Sequence, residues 1–239
     1  MKKFKKIIRA VLVLAVLAGL IYLIPKVITV VRLKRAADSY VAASSVSTFK
    51  DSKTTIIYDT NDQELCTMKN TKDMYYVSYQ EIPVTLVNSF VVMEDRQFYK
   101  HSGYDIKAIL RAIVINQKSN DIAQGASTIT QQLARNVFIS QEKTWQRKME
   151  EIFIALQMEK KYTKNEILEF YLNNIYFGNG YYGIQAASKG YFNTTVDQLD
   201  LSQIAFLCAI PNNPSLYDPV NHADHTIMRR DLILKNMLD

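Results

Sequence analysis

Cysteine is scarce in this chain. Cys66 and Cys208 are the only two, and neither has the spacing of a metal ligand. A multi-disulfide framework and a cysteine zinc site are therefore excluded, and Cys208, inside the apolar run Ile204–Ile210, reads as core. Glycine and proline together number only 12, and charged residues make up 22%, which excludes collagen-like and wholly disordered classes. Acidic residues are missing from the first 35 positions, which carry nine Lys or Arg. The rest of the chain holds 20 basic against 23 acidic residues, so the formal charge of +6 belongs to one end. A duplex-binding domain would carry its positive patch on the folded body, so nucleic acid is not an expected partner. What is present is a chain of 239 residues, 48% hydrophobic, enough for one domain with a buried core and no second enzymatic domain.

The basic end reads as a membrane anchor. Lys2, Lys3, Lys5, Lys6 and Arg9 precede an uncharged run from Ala10 to Pro25, followed by Lys26 and Val27–Val31. Counted to Val31, the run is long enough as a helix for a hydrocarbon core of about 30 Å, with Lys26 placed to snorkel. A cleaved signal peptide shares the basic start, but no small-x-small site follows promptly and Arg32, Lys34 and Arg35 stand where cleavage would fall. The expected division is a cytoplasmic tail over 1–9, a transmembrane anchor over 10–31, a stalk and hairpin over 32–74, and a folded domain over 75–239. Five basic residues before the span and the short tail favour an extracytoplasmic body.

Within the body, Thr54–Tyr58 and Glu64–Met68 flank Asp59-Thr60-Asn61-Asp62 and read as a small hairpin, and Met74–Tyr79 as a further short strand. Beyond Pro83 the periodicity is helical. Ile106, Ile109, Leu110, Ile113 and Val114 mark one helix, with Ser119–Gln124 as a polar loop after it. Trp145, Met149, Ile152, Phe153 and Leu156 form the apolar stripe of another. Thr163-Lys164-Asn165-Glu166 has capping-box form and opens a third, closed by Gly178, Gly180 and Gly183. Residues 199–210 make a last apolar helix, stopped at Pro211. The body is mainly α.

Three polar segments carry candidate chemistry. Glu94-Asp95-Arg96-Gln97-Phe98-Tyr99-Lys100-His101-Ser102-Gly103 follows the apolar stretch Leu86–Met93. A carboxylate at the end of a buried helix is partly desolvated, which suits proton transfer, although a solvated helix end would look the same. Gly125-Ala126-Ser127-Thr128-Ile129-Thr130-Gln131-Gln132 packs neutral donors and acceptors that suit a sugar or phosphate, without the lysine of a P-loop; a polar helix start is the plainer account. Arg147, Lys148 and Glu151 share one arc of a helix, facing away from the Met149/Ile152/Leu156 stripe. They could hold a diphosphate, or simply pair with one another on a wet surface.

Taken together the segments resemble the family-51 glycosyltransferases, the peptidoglycan glycan polymerases that occur alone or as the N-terminal module of class A penicillin-binding proteins. Glu94–Gly103 matches the family pattern E-D-x-x-F-x-x-H-x-G, Gly125–Gln132 matches G-[GA]-S-T-[IL]-[TS]-Q-Q, and Arg147–Glu151 matches R-K-x-x-E. Lys164–Asn173 with Tyr176-Phe177-Gly178, and Met228-Arg229-Arg230-Asp231-Leu232-Ile233-Leu234, resemble two further elements, in order, over residues 75–239.

The resemblance implies a lysozyme-like glycosyltransferase fold, mainly α, with a small N-terminal β-hairpin region and one transmembrane helix. It implies Glu94 as general base and Glu151 as a second catalytic acid. Substrate contacts would come from Asp95, Phe98, His101, Gly103, Ser127, Thr128, Gln131, Gln132, Arg135, Arg147 and Lys148. Arg135 stands where the family usually has Lys. A divalent cation, Mg or Mn, near Glu151 is the one cofactor it suggests. The implied reaction joins lipid II to a growing lipid-linked glycan on the outer face of the cytoplasmic membrane, with inversion and release of polyprenyl diphosphate, among other cell-wall synthesis proteins. A lysozyme-like hydrolase and a non-catalytic membrane scaffold are the alternatives. Asp239 directly follows the last motif, so a truncated chain is expected.

Overall fold

The computed structural model describes residues 2–50, 55–68, 74–111, 127–139 and 144–238. It opens with a 42-residue helix, α1 (Lys2–Ala43), which contains Pro25. Its stretch Leu12–Ala43, whose most apolar window has a mean hydropathy of 2.3, is long and apolar enough to cross a membrane by length and composition, and that window is not covered by the other described residues. The hairpin follows as β1 (Thr55–Tyr58) and β2 (Glu64–Met68), antiparallel, with Ile57 opposite Cys66 and a register shift at Tyr58. Asp59 closes its turn by accepting the backbone N–H groups of Asn61 and Gln63 at 2.7 and 2.8 Å.

The body is helical: α2 (Val84–Glu94), a helical stretch α3 described over 106–111, α4 (Ile129–Phe138), α5 (Trp145–Lys161), α6 (Lys164–Asn174), α7 (Ile184–Phe192), α8 (Leu201–Ala209) and α9 (Ala223–Leu238). The cap expected at Thr163 is present, and α8 carries one that was not expected. Thr163 and Glu166 form a reciprocal capping box on α6, and Asp200 and Gln203 do the same on α8. Gly178, Gly180 and Gly183 all take positive φ in the turn after α6; a Cβ on Gly183 would lie 2.5 Å from the Asn173 carbonyl oxygen. Leu86 and Phe90 of α2, Ile167 and Tyr171 of α6, Ile184 of α7 and Leu207 of α8 are fully buried in one core. Phe90 sits edge-on to both Tyr171 and Phe177, at 6.4 and 6.1 Å.

Three expectations change. Residues 36–43, read as stalk, are the last turns of α1, and Ala37 and Val41 pack into the core. Their helical spacing puts two small side chains on one face, and close packing there outweighs the polar neighbours. Met74–Tyr79 forms no strand: 74–78 run irregularly into a 3₁₀ turn over Tyr79–Glu81. The Asn173 side chain supplies what a strand partner would, accepting from the Val77 N–H at 2.9 Å and donating to its carbonyl at 2.8 Å. Finally, α5 turns the opposite way. Glu151, Ile154, Ala155 and Met158 are its buried positions, whereas Trp145 is 50% exposed and Met149, Ile152, Phe153 and Leu156 are only half-buried. Mutual ion pairing lets the polar face go inward, and the apolar stripe is left for other surfaces. Ile106 and Leu110 are likewise exposed, and the expected loop Ser119–Gln124 lies outside the described residues.

Candidate active site

The site is organised by α4. Thr128 caps it, accepting from the Gln131 N–H, so the following turn is fixed before any ligand arrives. Two adjacent residues of that turn then reach one acid, Glu94, and the lysine that pairs with the other, Glu151. Gln131 accepts from Lys148 Nζ at 2.9 Å, and Gln132 donates to Glu94 Oε2 at 3.0 Å. Neighbouring side chains on one turn thus join the two halves of the site.

Glu94 ends α2 and is half-buried. Burial pushes its carboxyl above the ordinary value, while the Gln132 hydrogen bond and the positive fields of Arg229 and Arg135 lower it and Asp95 raises it further. Beneath it lie Tyr171, whose hydroxyl donates to Gln132 Oε1 at 3.3 Å, and the free thiol of Cys208; burial holds both well above their ordinary values, so neither ionises. Cys208 is core, as its apolar run suggested, and it lies near Glu94, which that run did not show.

Glu151 is 1% exposed and turns both oxygens to cations: Oε1 to Arg147 Nη1, Oε2 to Lys148 Nζ at 3.0 Å. Lys148 also donates to Ser127 Oγ at 2.8 Å. Among the described residues Arg147 Nε is buried without a hydrogen-bond partner. Pairing inside the protein accounts for the buried charge, since removing either cation would strand the carboxylate. This arrangement does not fit a divalent cation at Glu151. Both of its oxygens already face positive charge, and among the described residues no three His, Cys, Asp or Glu side chains converge on a point.

The other expected residues brace this pair of acids. Asp95 Oδ2 takes His101 Nε2 at 2.8 Å and the N–H of Ile129, first residue of α4, at 3.0 Å. It ties α2 to α4 at the end where a carboxylate is favoured. Phe98 is fully buried, edge-on to His101. Gly103, at φ 99°, lies so close to α5 that a Cβ would stand 2.9 Å from the Ala155 carbonyl carbon, and its own carbonyl accepts from Thr128 Oγ1 and Gln131 Nε2. Behind them Lys164 bridges the His101 carbonyl (2.8 Å) and Glu159 (2.7 Å), and Glu159 also accepts from Thr130. Gly125 and Ala126 lie outside the described residues. Arg135 is near enough for its charge to act on Glu94, and it makes no hydrogen bond among the described residues. Arg229 of α9 was missed. It stacks over Tyr217 at 4.7 Å, its Nε is buried and unpaired among the described residues, and the two adjacent arginines of its segment were the available signal.

A family model described as transglycosylase matches residues 61–238. The chain belongs to the transglycosylase family. The match starts within the hairpin turn, ahead of the boundary at residue 75 that the motifs suggested. Penicillin-binding protein 4 of Bacillus subtilis (strain 168) is 49% identical over 163 residues, 68% of this chain and 26% of that protein. Penicillin-binding protein 1A of Escherichia coli (strain K12) is 44% identical over 197 residues, 81% of this chain and 23% of that one. The chain spans about a quarter of the length of these relatives. The crystal structure of penicillin-binding protein 1A from Haemophilus influenzae gives a TM-score of 0.39 at 19% identity over 77% of this chain and 18% of that one, too loose to bear on the fold.

Proposed function

We propose that this chain polymerises peptidoglycan glycan strands from lipid II at the outer face of the cytoplasmic membrane. The observation that carries the reading is the single turn of α4 in which Gln132 holds Glu94 and Gln131 holds the Lys148–Glu151–Arg147 cluster. A base and a cation cluster joined this way suit a displacement in which a hydroxyl attacks and a diphosphate leaves. Glu94 accepts the proton of the acceptor's 4-hydroxyl; its raised affinity for protons favours that transfer. The oxygen bonds to C1 of the donor sugar from the face opposite the diphosphate, the C1–O bond breaks, and polyprenyl diphosphate departs with inversion. Arg147 and Lys148 offset the charge on the leaving group, Lys148 with the more exposed side chain of the two. Glu151 keeps both cations in place. α1 serves as the anchor, with its N-terminus cytoplasmic, and confines enzyme and lipid-borne substrate to one surface.

A general acid acting on finished glycan would also use a carboxyl of raised affinity, which is the hydrolase reading. The cation cluster argues against it, because a glycosidic leaving group carries no diphosphate. Purified chain offered lipid II or isolated cell-wall glycan separates them: polymer from the first supports the proposal, and cleavage of the second without polymer overturns it.

A further inference from the structure

The last turn of α1 carries no basic residue of its own to offset its free carbonyl groups. A residue at the far end of α5 does that instead. Lys161 Nζ donates to the carbonyls of Val41 (2.7 Å), Ala42 (3.1 Å) and Ser44 (2.5 Å), although much of its stem faces water. Beside it the Tyr162 hydroxyl, buried, bonds Ser44 Oγ at 2.7 Å. The chain leaving α1 is then pinned by Phe49, stacked on Phe170 at 4.0 Å and edge-on to Tyr162, and by Asn174 donating to the Phe49 carbonyl at 3.0 Å.

This joint sets a direction. Thr29, Val30, Leu33 and Ala36 are partly shielded and Ala37 and Val41 buried, at helical spacing, and α5 is the main partner of α1. With the C-terminal ends of both helices joined at Lys161, contact along that stripe requires the two to run side by side in the same sense. At 1.5 Å per residue, Glu151 then lies about 15 Å back from the joint, level with Val31 at the end of the apolar run, and Trp145 about 24 Å back, level with Pro25. Half-exposed Trp145 then lies about 9 Å below the end of the apolar run, with its ring open to the acyl chains.

We propose that Lys161, Tyr162 and Ser44 are positioning residues that lock α5 to the anchor helix, so that the cation cluster on α5 is held at a fixed height at the bilayer surface. The proposal rests on the reading of α1 as a membrane anchor and of the site as acting on lipid-borne substrate. A substrate whose diphosphate is confined to the headgroup layer reacts only if the cluster is at that depth, and small displacements are costly in rate.

Trp145, the only tryptophan, reports the depth. The full chain is reconstituted in vesicles of phosphatidylcholine and phosphatidylglycerol brominated at successive chain positions. Wild type should be quenched most strongly by bromines about 9 Å inside the hydrocarbon edge, the depth that the level of Pro25 sets. Lys161→Met with Tyr162→Phe should broaden or shift that profile and cut turnover of long-chain lipid II in vesicles by about tenfold. Turnover of a short-chain analogue in detergent should stay within about twofold, and Lys161→Arg should retain the vesicle rate. Ser44→Ala is a milder variant that removes the buried hydroxyl should the double variant fold poorly by circular dichroism. Folded variants with the wild-type quenching profile would overturn the proposal, as would equal losses on long-chain and short-chain substrates. The depth measurement needs no turnover, so a wild-type chain with no activity would sink the polymerase reading and leave the joint to be judged on quenching alone.

Discussion

Burial holds the Glu94 carboxyl above its ordinary value of 4.5, and only the Gln132 hydrogen bond and two arginines pull it back. A carboxyl whose folded affinity for protons is raised stabilises the fold while protonated. Its contribution is complete below about pH 4.5 and lost as pH rises through the raised value. Glu94→Gln removes that loss. The variant should melt close to wild type near pH 4 and a few degrees above it near pH 8, and thermal melts at both pH values check this. Arg135 acts on the same group. Arg135→Ala should move the acid limb of kcat/KM to higher pH, because one of the fields favouring the Glu94 anion is gone, while Arg135→Lys should stay within a few-fold of wild type. A fall of about 10- to 150-fold at every pH would make Arg135 a diphosphate ligand instead. Residue identity at these positions was legible because the motif spacings are specific. Side-chain direction was not: the pattern E-D-x-x-F-x-x-H-x-G does not separate Glu94, half-buried against Gln132, from Phe98, sunk in the core, or Asp95, engaged by His101 and Ile129.

At the scale of elements, the close approach of the Gly103 loop to α5 sets the spacing between the two acids. Gly103→Ala adds both an unfavourable φ and a 2.9 Å clash with the Ala155 backbone, whereas Gly180→Ala adds the φ alone, with nothing within 4 Å. Gly103→Ala should therefore cost more than the roughly 1–3 kcal/mol of a strained residue and lose activity with stability, and Gly180→Ala should stay within that range. Paired melting curves and rates check the difference. The start of α6 was legible because Thr163 caps its own backbone in capping-box form, whereas the same device at Asp200 on α8 went unread. The facing of α5 was not, because hydrophobic periodicity assumes that the apolar stripe goes inward. Here Glu151 goes inward with Arg147 and Lys148 as counter-ions, and nothing in the local sequence shows that Ser127 and Gln131 wait opposite them. The last turns of α1 were read as stalk for a related reason: Ala37, Val41 and Ser44 look ordinary until Lys161 and Tyr162, more than a hundred residues away, close on them.

For the whole molecule, the apolar anchor, the base at the end of α2 and the cation cluster on α5 form one device only if the chemistry is transfer from a lipid diphosphate. Glu94 is the point on which that account turns, because Glu94→Gln keeps shape and hydrogen bonding to Gln132 but cannot take a proton. The decisive measurement is glycan polymer formed from lipid II by the purified full chain and by Glu94→Gln, side by side in the same vesicles. Wild type should produce strands, and the variant should fall by about 10²- to 10⁴-fold while still binding lipid II. Polymer from the variant at the wild-type rate, or none from a folded wild-type chain, would contradict the account.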